Sequence, residues 1–145
     1  EKQIKERVKE CLSFVNLENT EELFPSELSG GMKKRVAIAR ALAFKPDIIF
    51  YDEPTTGIDP VNSRAVIDLM KKIQLEGATS IVVTHDVHSA LQVGDYFAVI
   101  DDGRIIQKGT INEILKSDNE FIKEFFFGMN NAVSPNIDVP VQIEI

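Results

Sequence analysis

Along the first fifteen residues, apolar side chains return every three or four positions, at Ile4, Val8, Cys11, Leu12 and Val15. Lys2, Lys5, Glu6, Lys9 and Glu10 take the positions between, so the spacing predicts a helix with one apolar stripe. After a polar stretch, Ser29, Gly30 and Gly31 precede an alanine-rich segment that predicts a second helix from about Met32 to Phe44, stopped by Pro46. Ile48, Ile49, Phe50 and Tyr51 then run without a polar break, which predicts a strand buried on both faces, as in a parallel sheet. Asp59 and Pro60 have the form of an N-cap and a first-turn proline. The helix they start has an apolar face of Val66, Ile67, Leu69, Met70 and Ile73 and closes at Gly77. Ser80 to Val83 predicts a second buried strand, and Thr84, His85 and Asp86 lead into a short helix through Leu91. Strand, helix, strand, helix in this order predicts an α/β fold with a parallel sheet and flanking helices.

Farther along, Asp101, Asp102 and Gly103 separate two β-prone runs, Tyr96 to Ile100 and Arg104 to Gln107, and predict a hairpin. Thr110 with Glu113, and Ser117 with Glu120, have capping-box spacing ahead of short helices that carry Ile114, Leu115, Phe121, Phe125 and Phe126. The adjacent Phe125, Phe126 and Phe127 read as a packing anchor. From Gly128 onward the composition turns to Asn, Pro and small residues, as in a tail or linker. Its end alternates Val139, Val141, Ile143 and Ile145; either a strand added to a sheet edge or a disordered tail fits that pattern.

Composition narrows the function classes. The 145 residues have room for one ordinary domain, and 43% hydrophobic with 27% charged residues is a globular balance. Sixteen Lys and Arg against 23 Asp and Glu give a net charge of -7, a poor match to the phosphate backbone, so nucleic acid is not expected as a partner. The apolar runs are strand-sized, too short to span a bilayer as a helix. Cys11 stands alone, which excludes an internal disulfide framework and fits a cytoplasmic setting, and the charged start is no secretory signal. Cys11 reads as a small residue on an amphipathic helix ahead of a reactive thiol.

Three places carry candidate chemistry. Asp52 and Glu53 leave an apolar strand at its carboxyl end, where open α/β sheets place ligands. Such a pair could hold Mg²⁺ with the first acid and direct an attacking water with the second, or it could simply begin a polar turn before Pro54. Ser29, Gly30, Gly31 and Met32 sit at a helix start, where free amides, a hydroxyl and the helix dipole favour an anion, with Lys33, Lys34 and Arg35 adding positive charge. An N-cap serine in a flexible turn explains the same residues. His85 follows the second strand, where its imidazole could bond a phosphate oxygen. His88 three residues on would need further ligands to make a zinc site, and no Cys or third His provides them.

In this order and spacing, the three places resemble the second half of an ABC transporter ATP-binding subunit. Leu28 to Met32 is similar to the family's signature loop, Ile48 to Glu53 to its Walker B strand and following glutamate, Gly57 to Asp59 to its D-loop, and His85 to its switch histidine. The resemblance runs from about Cys11 to Phe126 and continues through Gly109, Thr110 and Glu113 to Leu115. Met32 stands where the signature usually has Gln, and with Pro25, Glu27 and Lys33 to Val36 it looks like the ATPases of Mce-type lipid transporters. That subfamily moves phospholipid or related lipid between bacterial envelope membranes.

The resemblance implies a partial P-loop NTPase fold. Residues 1–45 would be part of the helical signature subdomain, 46–127 the C-terminal part of the ATPase core with its hairpin, and 128–145 a tail. It implies ATP and Mg²⁺ as cofactors, with Asp52 organising the metal, Glu53 acting on the attacking water and His85 steadying the γ-phosphate. Ser29, Gly30, Gly31 and Met32 would meet nucleotide held by a second copy in a head-to-tail dimer, and Asp59 would communicate across it or simply cap its helix. Transmembrane permease subunits would be partners, placing the protein peripherally on the cytoplasmic face of the inner membrane.

A phosphate-cradling loop needs Gly, four residues of any kind, Gly, Lys, then Ser or Thr, and no two of the eight glycines are five apart. The chain is therefore expected to be a C-terminal piece, inactive alone, of a subunit that hydrolyses ATP. Its Ser80 to Val83 strand is expected to keep an unpaired apolar edge, inviting swapping, rearrangement or association. An ABC-type ATPase of DNA repair or chromosome maintenance, and a non-enzymatic partner-binding fragment, are the alternative classes.

Overall fold

The computed structural model describes residues 1–127, which form two compact units, 1–94 and 95 onward. The alternation at Val139 to Ile145 lies outside the described residues.

The first unit runs α1 (Lys2–Phe14), a 3-10 turn (Pro25–Glu27), α2 (Gly30–Leu42), β1 (Ile48–Asp52), α3 (Pro60–Leu75), β2 (Thr79–Val83) and α4 (Val87–Val93). β1 and β2 pair in parallel through the α3 crossover, with Ile48 opposite Thr79 and Asp52 opposite Val83. Asp59 caps α3 by accepting from the Val61 and Asn62 amides, and Pro60 occupies the first turn, where its missing N–H costs nothing. All five residues of the predicted α3 face are buried, and they form the core with Ile38, Ala39, Ile49, Tyr51, Cys11 and Val15.

Two expectations need correction. β1 is not buried on both faces: Ile49 and Tyr51 turn into the core, but Phe50 is 73% exposed and Ile48 52% exposed. Its neighbour behaves alike, with Ile81 and Val83 exposed, because helices cover one face of this two-stranded sheet. β2 pairs with β1 alone among the described residues. The stripe of α1 is likewise used only in its second half, since Ile4 and Val8 are exposed while Cys11 and Val15 are buried. Arg7, in the middle of α1, donates from its guanidinium to the Leu42 and Ala43 carbonyls at the end of α2, and Lys72 of α3 sets its ammonium 3.9 Å from the centre of the Phe14 ring near the C-terminus of α1.

The second unit contains the hairpin β3 (Phe97–Asp101) and β4 (Arg104–Gly109), followed by α5 (Ile111–Ile114) and α6 (Glu120–Phe127). Asp102 and Gly103 both have positive φ, 44° and 71°, which matches the turn that joins strands tightly and explains the Asp-Gly pair. Glu113 accepts from both the Thr110 amide and its hydroxyl, as its spacing predicted. The second box does not form. Ser117 donates to Gln107 and accepts from the Asn119 amide, so Asn119 caps α6 through the Ile122 amide. Val99, Ile114 and Ile122 make a small core against which Phe126 packs, while Phe125 stacks on Phe121 at 5.8 Å.

Burial this uneven predicts uneven sensitivity. Met70→Ala, at a site 1% exposed, should lower unfolding free energy by about 2–5 kcal/mol in urea denaturation. Leu75→Ala on the same helix, at a site 88% exposed, should change it by less than about 0.5 kcal/mol.

Candidate functional site

Because Asp52 faces Val83 in a parallel pair, the residues just beyond the two strands leave the sheet side by side. Glu53 is the first beyond β1, and Thr84 and His85 follow β2. The Glu53 amide extends the pairing by donating to the Val83 carbonyl at 2.9 Å. Glu53 then takes φ +45°, a left-handed conformation uncommon for a residue with a side chain. Lys34 of α2 holds that bend, its Nζ donating to the Glu53 carbonyl at 2.8 Å. Strain of this kind costs about 1–3 kcal/mol and persists only where surrounding contacts enforce it.

The bend delivers the Glu53 carboxylate to four donors. Its Oε1 accepts from the His85 amide at 3.1 Å and pairs with His85 Nδ1 at 2.8 Å. Its Oε2 accepts from the Thr56 hydroxyl at 2.7 Å and the Thr84 hydroxyl at 3.3 Å. These bonds favour the ionised form, so the Thr56 hydroxyl first and then His85 hold the carboxyl down to about 2. Glu53 in turn raises His85 above its ordinary 6.5. A carboxylate only accepts, so Nδ1 carries the proton in this pair. Behind it, Thr84 accepts from the Asp86 amide, Asp86 takes the Ser89 hydroxyl, and Ser89 lies 3.4 Å from Thr55.

Asp52 is exposed at the tip of β1, and its carboxylate bonds no side chain among the described residues. It is a hard oxygen donor, a single ligand of the kind that Mg²⁺ takes while retaining several waters.

The glycine turn forms a second place. Ser29 caps α2, its hydroxyl accepting from the Met32 amide at 3.2 Å. A Cβ on Gly30 would lie 3.6 Å from the Ile58 side chain and 4.0 Å from the Gly57 carbonyl, so Ser29 to Met32 and Gly57 to Asp59 are neighbours in one chain. The basic run is committed differently from the expectation: Lys34 is on Glu53, and Arg35 donates to Asn62 at 3.1 Å. Thr56, Thr84 and Asn62 were not singled out in the sequence. The register of β1 against β2 is the signal that could have found Thr84.

Residues 1–56 match the family described as ABC transporter. The MetN 1 methionine import ATP-binding protein of Bacillus cereus is 38% identical over 144 residues, 99% of this chain and 41% of the relative. The MlaF ATP-binding protein of an intermembrane phospholipid transport system in Haemophilus influenzae is 41% identical over 83% of this chain and 46% of the relative. The chain thus spans less than half the length of these relatives. Among solved structures, an ATP-binding cassette of an ABC transporter in its ADP conformation superposes with a TM-score of 0.77 at 28% identity, covering 88% of this chain and 51% of the other. A dimeric post-hydrolysis cassette bound to ADP and Pi superposes at 0.65 with 38% identity, covering 74% and 47%. This chain has the fold of part of an ATP-binding cassette. Relatives named for methionine import and for phospholipid transport both match it, so likeness does not single out a lipid system.

Within this cassette fold the Glu53 and His85 pair has a defined pH window. Raising His85 means its part is complete below 6.5 and fades as pH rises through its folded value. Lowering Glu53 means its part is present above 4.5 and fades as pH falls toward about 2. An NMR titration of the His85 ring should therefore give a midpoint above 6.5, and Glu53→Gln should move it back toward 6.5.

Proposed function

We propose that this chain is the signature-to-switch portion of an ABC transporter ATP-binding subunit that hydrolyses ATP to drive transport. The observation that carries the reading is the grip of His85 on Glu53 beside an exposed Asp52, at the carboxyl ends of two parallel strands. Asp52 would hold Mg²⁺, which when bound neutralises phosphate charge. Glu53, kept ionised and aimed by Thr56, Thr84 and His85, would act on the attacking water by exchanging one of these hydroxyl donors for the water's O–H and so orienting it. His85, with Nδ1 turned to Glu53, would offer Nε2 to the γ-phosphate. No phosphate-cradling loop occurs in this sequence, so the residues present complete only part of a nucleotide site.

Ser29, Gly30, Gly31 and Met32 would close over nucleotide held by a second copy, with Asp59 on the same surface. Adjacency of the Gly30 and Ile58 segments in one chain supports that shared surface, and a dimeric cassette is among the structural neighbours. Permease subunits would be the membrane partners, and the ATPase would sit peripherally on the cytoplasmic face of the inner membrane. No helix among the described residues is long and apolar enough to cross one.

For the cargo we propose phospholipid or a related lipid, supported by Met32 after the glycine pair, by Pro25 and Glu27, and by the phospholipid-transport relative. A methionine importer is the second reading, favoured by the MetN relatives. Deleting the gene and measuring methionine uptake beside outer-leaflet lipid accumulation separates the two.

In the complete subunit, Glu53→Gln should cut turnover by roughly a hundred- to ten-thousand-fold while ATP binding persists. Unchanged hydrolysis in that variant, measured by phosphate release, would remove Glu53 from the chemistry.

A further inference from the structure

Asn62, in the first turn of α3, touches both motif segments of the second place. Its Oδ1 accepts from Arg35 of α2 at 3.1 Å. Its Nδ2 donates to Asp59 Oδ2 at 2.6 Å, and its amide N–H donates to Asp59 Oδ1 at 3.1 Å. The chemistry of the two partners fixes which end of the amide is which, since a guanidinium only donates and a carboxylate only accepts. Gly31, buried in α2, lies directly against this side chain. A Cβ on Gly31 would stand 2.8 Å from the Asn62 Cβ and nearer still to its Cγ and Oδ1, distances that side chains do not tolerate.

We infer that Asn62 is a positioning residue that locks the glycine turn of α2 to Asp59, and that Gly31 lacks a side chain in order to admit it. The inference deepens the proposed function and rests on it for its effect on turnover, but the interlock itself is a packing contact within one chain. Arg35 and Asp59 are joined through a single planar amide, so a shift of the α2 start is passed to Asp59 and back. Val61, the neighbouring position on α3, is exposed and has no such contact, which makes it the control site.

The test is a double-mutant cycle in the complete subunit, read as turnover and as melting temperature. Gly31→Ala should lower the melting temperature by at least about 2 °C and should cut kcat more than Asn62→Ala does. Asn62→Ala should lower kcat about tenfold, with the KM for ATP within about twofold, because it disturbs placement and leaves nucleotide contacts alone. In the Gly31→Ala/Asn62→Ala double variant the collisions with Cγ and Oδ1 are gone and only the 2.8 Å approach to the Cβ of position 62 remains, so melting temperature and kcat should recover part of the way from the Gly31→Ala values toward those of Asn62→Ala. Val61→Ala should match the unsubstituted subunit in both readouts. A double variant that melts no higher and turns over no faster than Gly31→Ala overturns the interlock. If the unsubstituted subunit neither binds nor hydrolyses ATP, the proposed function fails, and the melting temperatures alone still decide the contact.

Discussion

The parallel register of β1 against β2 is the constraint on which the candidate chemistry depends. Two short strands, aligned so that Asp52 faces Val83, leave their next residues adjacent. Everything at the first place follows from that adjacency: Glu53 reaches the His85 amide and ring, and Thr84 closes from the other side. A slip of one residue would turn Glu53 away from β2 and set Tyr51 outside the core. Packing therefore guards the chemistry, because the burial of Ile49 and Tyr51 against α3 fixes the register that aligns the carboxylate.

A second constraint ties the glycine turn to the same scaffold. Lys34 and Arg35 are successive residues on α2, yet one holds the carbonyl of Glu53 and the other the amide of Asn62. One turn of helix is thereby fastened to both places. The left-handed bend at Glu53 and the close approach at Gly31 depend on the same seating of α2, so a change in either is felt at the other. This is a stiff arrangement, suited to transmitting small displacements between packed elements.

Local chemistry was legible in the sequence wherever cause and effect lie within one turn of chain. The caps at Ser29, Asp59 and Thr110, the buried face of α3 and the Asp-Gly hairpin all follow from spacing and residue type. Ser117 misled because its hydroxyl is drawn ten residues away, to Gln107, leaving Asn119 to start α6. Phe50 misled for a different reason: an unbroken apolar run does not reveal whether a second layer is present to cover it. At the site, Asp52, Glu53 and His85 stood out by type and order. The grip of Glu53 on His85 did not, since 32 residues separate them and only the strand register brings them together. Asn62 was silent, because an asparagine near a helix start is ordinary until its neighbours in space are known.

The uncovered row of Ile48, Phe50, Ile81 and Val83 has a thermodynamic meaning. These four side chains are still in contact with water, so any layer that covered them would add apolar burial to the stability of the sheet. Such a layer would remove the cost of wetting the row and would bind only the ordered sheet. Docking and folding would then be one equilibrium, linked through the strands whose ends present Glu53 and His85.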